Sequence, residues 1–523
     1  MSSSPRLRLG TRRSALAWVQ SSQVAAALQA AHPGLEVELV GIDTRGDRVL
    51  DVPLSSIEGK EFFTAEIDAA LRGGHVDFTV HSLKDLSLER PSDLVLAAVP
   101  PRANSRDIAL FAADVPQRLA AGAGLRIGTS SPRRAQLLPA FLSRALPHAA
   151  RNRIELVNLR GNVDSRLRRL REPRGSERQL DGVVLAAAGL ARLFADTATA
   201  RQGHALLTEL LDGLPFMLLP LTDCPGAPGQ GALAIECRSN DGETRRLLCV
   251  LEDPATRGAI AVEREVLARH GGGCHQRFGA TLSWLPGLGG LLQVAGLGAA
   301  GADIGERRFL PDTALPPAPR TLRAWDGSVA GKPATSPVMS AAQLAAALDR
   351  EAVFIAHWHA LPDGAAAALA GRRIWCSGSA SWFELARQGL WVEGCGESLG
   401  AEWTAGLLAE PLLRLPPPAR WAVLTHRGAE DSWRGGRWEG AQALGTYAVD
   451  ERELPDAAAL AQATHVWWHS VAQFERGKLA AAPDAHHASG AGKTADHIRR
   501  AGLRNFRAFP SVMEWRRWTA PAR

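Results

Sequence analysis

From residue 6 to about 300, short β-rich runs alternate with amphipathic helical stretches, and this rhythm restricts the fold more than any other feature. Strands separated by helices run mainly parallel and are covered on both faces, so an α/β class is predicted. Leu35-Glu-Val-Glu-Leu-Val-Gly-Ile42 and Val76-Asp-Phe-Thr-Val80 read as strands. Ser14-Ala-Leu-Ala-Trp-Val-Gln20 and Phe62-Phe-Thr-Ala-Glu-Ile-Asp-Ala-Ala-Leu71 read as helices, the first opening on a serine able to cap it. In such sheets ligands gather outside the carboxyl ends of the strands.

Arginines recur at those ends. Leu125-Arg-Ile-Gly-Thr-Ser-Ser-Pro-Arg-Arg-Ala-Gln-Leu-Leu138 reads as strand, turn and helix, with Ser131 at the N-cap and Pro132 at the first helical position. Free N–H groups and the positive end of the helix dipole make that turn an anion site. Arg133 and Arg134 follow at once, and cations in a first turn are unfavourable unless an anion joins them. The pattern repeats where Ile154-Glu-Leu-Val-Asn-Leu-Arg-Gly-Asn-Val-Asp-Ser-Arg166 delivers Arg160 and Arg166, and more weakly in Leu9-Gly-Thr-Arg-Arg-Ser14. Guanidinium forks suit carboxylate or phosphate. Any single arginine here also fits a solvated surface charge; three similar placements argue for a ligand.

His81-Ser-Leu-Lys-Asp85 directly follows the strand ending at Val80, so Lys84 and Asp85 stand at a carboxyl end. A carboxylate among cations can transfer protons and stabilise a cationic intermediate. A surface Lys–Asp pair closing a turn would explain the same residues. Ala261-Val-Glu-Arg-Glu-Val-Leu-Ala-Arg-His-Gly-Gly-Gly-Cys-His-Gln276 reads as a helix ending at glycines that present Cys274 on a loop. Arg269, His270 and His275 would favour its thiolate; inert packing is the bland alternative.

At 523 residues the chain exceeds one core and calls for several domains. Leu315-Pro-Pro-Ala-Pro-Arg-Thr321 reads as a linker, and of 15 tryptophans only Trp18 and Trp284 precede residue 320, so a separate C-terminal unit is expected. The first ten residues lack the apolar region of a signal peptide, and no apolar run is long enough to span a bilayer, which predicts a cytoplasmic protein without a membrane partner. Six cysteines without a CxxC pair predict reduced thiols and no metal site. A net charge of +6 and a pI near 9.3 admit an anionic partner. Nucleic acid is not expected, because the basic residues are dispersed among turns rather than set in a stripe with interleaved aromatics.

Eight segments taken in order are similar to the porphobilinogen deaminase (hydroxymethylbilane synthase) family over about residues 6 to 300. They are Thr11-Arg-Arg-Ser-Ala-Leu-Ala17, Thr44-Arg-Gly-Asp47, Gly59-Lys-Glu-Phe-Phe63, Val80-His-Ser-Leu-Lys-Asp85, Gly128-Thr-Ser-Ser-Pro-Arg-Arg134, Leu159-Arg-Gly-Asn162, Gly229-Gln-Gly231 and Gly272-Gly-Cys274. The resemblance implies a dipyrromethane cofactor held by a thioether at Cys274 and built from two porphobilinogen molecules. Four more units add to it, each losing ammonia, before hydrolysis releases a linear tetrapyrrole.

By the same resemblance Asp85, Lys84 and Arg12 are catalytic; Asp85 holds pyrrole N–H groups and stabilises the azafulvenium-like electrophile. Ser14, Lys60, Lys84, Asp85, Thr129, Ser131, Arg133, Arg134, Arg160 and Gly161 bind the cofactor together with Cys274. Arg12, Phe63, Arg160, Arg166, Arg192 and Gln230 bind porphobilinogen and the growing pyrrole chain. A monomer is expected. Two departures stand out: Ser56 replaces a frequent lysine, and no closing helix is evident after Arg308.

The implied fold is three α/β domains, the first two resembling periplasmic binding proteins, followed by an additional α/β domain. Expected bounds are 5–100 with 217–236, then 101–216, 237–311, a linker at 312–339, and 340–523. The last part faintly resembles uroporphyrinogen-III synthase, through Thr464-His-Val-Trp-Trp-His-Ser470, Ala488-Ser-Gly-Ala-Gly-Lys-Thr-Ala495 and Tyr447, the only tyrosine; its opening strand is shortened or missing. That resemblance implies a cyclase for the linear product, with a degenerate domain as the alternative. The rival from another class is a non-catalytic carboxylate-binding protein. A metal-dependent hydrolase using Cys274 and His275 is disfavoured because adjacent residues rarely ligate one ion.

Overall fold

The computed structural model describes residues 6–44, 64–148, 153–195, 201–271, 276–299, 301–314, 322–327, 335–449 and 456–520. Two compact units divide the chain, one of residues 1–143, 149–283 and 292–307, the other of 144–148, 284–291 and 308–523.

Ten strands of the first unit build two five-stranded sheets. They are β1 Arg6–Arg12, β2 Glu36–Ile42, β3 Phe78–Ser82, β4 Leu94–Ala98, β5 Asp107–Phe111, β6 Leu125–Gly128, β7 Ile154–Val157, β8 Gly182–Ala186, β9 Phe216–Leu218 and β10 Leu233–Arg238. One sheet has the order β2-β1-β3-β10-β4 and the other β7-β6-β8-β5-β9, so the two share one plan. In each, four strands run parallel and a single antiparallel strand, β10 or β5, is inserted between the third and the last. Those two strands follow the two chain crossings between the sheets. This is the mixed α/β class expected, with paired periplasmic-binding-like domains.

Local sequence accounts for the elements. β5 and most of β8 are apolar runs with both faces covered, which suits central strands. The helix Ala15–Ala31 opens at Ser14, whose hydroxyl accepts the N–H of Ala17 at 3.4 Å, and it buries Val19, Val24 and Leu28. Leu9, Val24, Leu28, Phe78, Val80 and Ile235 share one core. Each buried Leu or Val of this kind contributes roughly 1.5–3 kcal/mol of transfer free energy.

The expected bounds shift in three places. Met217 pairs with Ala109 in the second sheet, so the return to the first begins after Leu218 and not at residue 217. Strand β3 starts at Phe78, two residues later than the apolar run suggests. Residues 312–339 are more than a linker: Ala324–Trp325 pairs with His465–Val466, and Thr335–Pro337 pairs antiparallel with Tyr447–Val449. After Arg308 the chain continues as the strand Glu306–Pro311, in a three-stranded sheet with Arg277–Leu285 and Gly289–Leu297, where no closing helix was expected.

The second unit holds a four-stranded sheet in the order Ala324–Trp325, His465–Trp468, His486–Gly490, Phe506–Phe509. Its six-stranded sheet, whose strands lie between residues 335 and 449, is inserted between the first and second of these. The opening strand has only two residues. No helix of the described residues is long and apolar enough to cross a membrane, and the five described cysteines are free.

Candidate functional site

The strand ends carry the expected residues where they were read. Arg12 closes β1 and Ser14 caps the helix after it. Lys84 and Asp85 lie on the 3-10 turn Leu83–Asp85 directly after β3. Ser131 caps the helix Pro132–Ala145, accepting the N–H of Arg134 at 3.4 Å, while its own N–H donates to the hydroxyl of Thr129 at 3.3 Å. Arg160 follows β7, and Arg166 lies on the helix Val163–Arg168. Between them Gly161 has φ +116°, and a Cβ there would stand 2.5 Å from the Ser165 hydroxyl, so the turn demands glycine.

Asp107, which the sequence reading missed, organises the centre. It opens β5, and because β5 is antiparallel to β8, its first residue lies opposite Ala186 at the carboxyl end of β8. Arg133 reaches its Oδ2 at 2.8 Å and Arg134 its Oδ1 at 2.8 Å; all three are buried. Gln230, 1% exposed, donates through Nε2 to the same Oδ1 at 2.9 Å and to the Ser105 carbonyl at 2.8 Å. Burial alone would raise the Asp107 pKa, but the two guanidiniums and the hydrogen bonds from Arg134 and Gln230 outweigh it and hold the carboxyl well below the carboxylate range. Arg133, Arg134 and Gln230 were expected to face the ligand; their terminal nitrogens are instead engaged inside the fold. The signal for Asp107 was a lone acid opening an apolar strand.

Two predictions of different size follow from this triad. Asp107→Ala leaves two buried guanidiniums uncompensated and is expected to reduce stability by about 3–5 kcal/mol, read as a lower denaturant midpoint; an unchanged midpoint would remove Asp107 from this role. Since the folded pKa lies below the unfolded one, the stabilisation is complete above about pH 4 and is lost only as the pH falls through the depressed value.

Arg166 and Arg192 have no such partner among the described residues. Arg166 donates to the Gly161 carbonyl at 2.7 Å, and burial, then repulsion from Arg134 and Arg160, pushes its pKa down to about 10. Arg192 donates to the Gly231 carbonyl at 2.7 Å, and burial pushes it to about 10. Neither pairs with a carboxylate among the described residues. Lys84 is depressed by burial first, drawn up by Asp85, and pushed down again by Arg134 and Arg133. These couplings place Lys84, Asp107, Arg133, Arg134, Arg160 and Arg166 in one cationic neighbourhood. Asp85 is exposed and makes no hydrogen bond to a described residue.

Beneath β3, Arg90 grips Asp68 at 2.7 and 3.0 Å and Glu236 at 2.7 and 3.0 Å, with His81 3.7 Å from Glu236. Asp68, His81 and Glu236 lie close enough to hold a metal ion, but the Arg90 guanidinium already engages both carboxylates. The Gly229-Gln-Gly231 turn is fixed by packing: a Cβ on Gly229, φ +76°, would stand 2.2 Å from Leu83. Its N–H donates to Glu263 at 2.7 Å, on the helix Pro254–Arg269. Arg269 is paired with Glu265 at 2.7 Å. Cys274, His275, Lys60, Phe63 and Ser56 lie outside the described residues.

Residues 7–246 match a family described as porphobilinogen deaminase, dipyromethane cofactor binding domain. A porphobilinogen deaminase of Roseiflexus castenholzii is 47% identical over 274 residues, which is 52% of this chain and 80% of that protein. One from Syntrophotalea carbinolica is 42% identical over 273 residues, 52% of this chain and 76% of that protein. A periplasmic substrate-binding protein of a Coxiella burnetii ABC transporter superposes with TM-score 0.26 at 17% identity, covering 48% of this chain and 94% of that one.

Proposed function

Since the chain belongs to the porphobilinogen deaminase family of transferases, we propose that it condenses four porphobilinogen molecules head to tail on a cysteine-bound dipyrromethane primer and releases linear hydroxymethylbilane. One observation carries the reading: the half-buried cations Arg166 and Arg192 lack a carboxylate among the described residues. A substrate bearing acetate and propionate on every ring supplies those carboxylates. The dipyrromethane group, when bound, would supply a pyrrole whose free α-carbon accepts the first new unit, each later unit adding to the free α-carbon of the ring before it.

The residues divide the work. Arg12, Lys84, Arg160, Arg166 and Arg192 hold ring carboxylates, and for Lys84, Arg166 and Arg192 these favour the charge that burial disfavours. Ser14 and Ser131 offer the capped starts of helices to the same anions. Lys60 and Phe63 add a further cation and a ring against the pyrroles. Asp107 keeps Arg133 and Arg134 in place. Asp85 accepts pyrrole N–H groups, opposes the positive charge that develops as ammonia leaves the incoming aminomethyl group, and takes up the α-proton displaced by the new C–C bond. The tether is Cys274, just past the helix anchored by Glu263.

A second reading concerns residues 324–520. A four-stranded sheet interrupted by a six-stranded one, together with Tyr447 and the turn before the helix Lys493–Arg500, supports a uroporphyrinogen-III synthase activity that cyclises the linear product. Fusion would shorten the lifetime of a product that closes spontaneously to the wrong isomer. One experiment addresses both readings: full-length protein is weighed intact, tested with Ehrlich's reagent, and supplied with porphobilinogen. A mass above that of the sequence, a colour reaction and type III product are expected. An unmodified mass in active protein would refute the first reading, and type I product alone the second.

A further inference from the structure

The second unit contains a cationic and aromatic cluster that the deaminase chemistry does not use. Strands Trp421–His426 and Gln442–Val449 run parallel, and their register sets His426 opposite Tyr447. The two rings are 6.1 Å apart, and the ring of His359 lies 6.2 Å from that of Tyr447. From the four-stranded sheet, the helix Lys493–Arg500 presents Lys493 to the loop after His426. There its Nζ stands 3.4 Å above the Trp433 ring and donates to the Ser432 hydroxyl at 2.7 Å. Lys493 is near enough to His426 to act on its charge.

This ammonium has no carboxylate among the described residues. The acids nearest in sequence are engaged elsewhere: Glu430 accepts the N–H of Gly428 at 2.6 Å, Asp431 pairs with Arg434 at 2.9 Å, and Asp496 accepts Arg499 at 3.0 Å. Its position adds to the imbalance, since Lys493 is the first residue of its helix and Gly492 provides no side-chain cap. Burial pushes its pKa down to about 7. An arriving carboxylate would relieve all three conditions, and an attached aromatic ring would find the wall formed by His426, Tyr447 and His359.

We propose that Lys493, with His426 and Tyr447, binds a ring-borne carboxylate, and that this site holds the linear tetrapyrrole in the second unit. The ligand's identity rests on the cyclase reading; the site itself rests on the placement of Lys493. Uroporphyrin III, a stable tetrapyrrole with carboxylates on every ring, is the probe, titrated into the full-length chain and into Lys493→Met and Lys493→Arg. The Met variant is expected to bind at least about tenfold more weakly, and the Arg variant, which keeps the charge, to retain most of the affinity. Matched thermal melts show that the variants are folded. Equal binding by parent and Met variant would overturn the site. Product chromatography separates the two ideas. Only type I product from the parent, with probe binding lost in Lys493→Met, refutes the cyclase and keeps the site. Type III product in equal yield from both proteins keeps the cyclase and refutes the site.

Discussion

Cys274→Ser is expected to give a chain whose intact mass equals that of its sequence, with no Ehrlich colour and no detectable hydroxymethylbilane. A thioether forms from a thiolate, and a serine hydroxyl at neutral pH is neither ionised nor comparably nucleophilic. The helix that precedes this loop in sequence is held by a buried network. Glu263 accepts Arg102 at 2.6 and 3.0 Å and the N–H groups of Gly229 and Leu282 at 2.7 Å each. One carboxylate thus joins the helix Pro254–Arg269 to the crossing after β4, to the Gly229 turn and to the following strand. The described helix ends at Arg269, five residues before the cysteine. A variant that kept a covalent pyrrole would place the attachment elsewhere.

Asp85→Ala should separate loading from turnover. Its carboxylate is exposed and carries no hydrogen bond to the described residues, so its removal leaves no buried group unsatisfied and stability near that of the parent. The arginines that hold ring carboxylates are untouched, and pyrrole binding should persist. Loss of a general acid–base group together with a charge aimed at a developing cation is expected to lower kcat by about 10³-fold. Single-turnover kinetics with porphobilinogen, read beside intact mass, check both halves. Turnover near the parental rate would take Asp85 out of the reaction, whereas loss of all pyrrole uptake would recast it as a binding residue.

The parts of this site that were legible in sequence are those whose physics is local. Ser14 and Ser131 cap helices because a hydroxyl immediately before a helical run meets the free N–H three residues on, whatever surrounds them. Lys84 and Asp85 stand at a strand's end because apolar patterning ends there. The domain bounds were less legible. Met217 and Ala324 belong to strands of three and two residues, too short for periodicity to reveal, and their pairing partners lie more than 100 residues away.

Sequence alone determined that arginines stand at the ends of β1, β6 and β7, since strand, turn, cap and arginine are set by neighbours along the chain. Only the tertiary structure decided which arginines find a carboxylate within the fold. The antiparallel insertion of β5 carries Asp107 to the carboxyl end of β8, where it neutralises Arg133 and Arg134, while Arg166 and Arg192 meet only carbonyls. Charge pairing depends on distance through space and on burial, and neither is encoded in the spacing of residues along the chain.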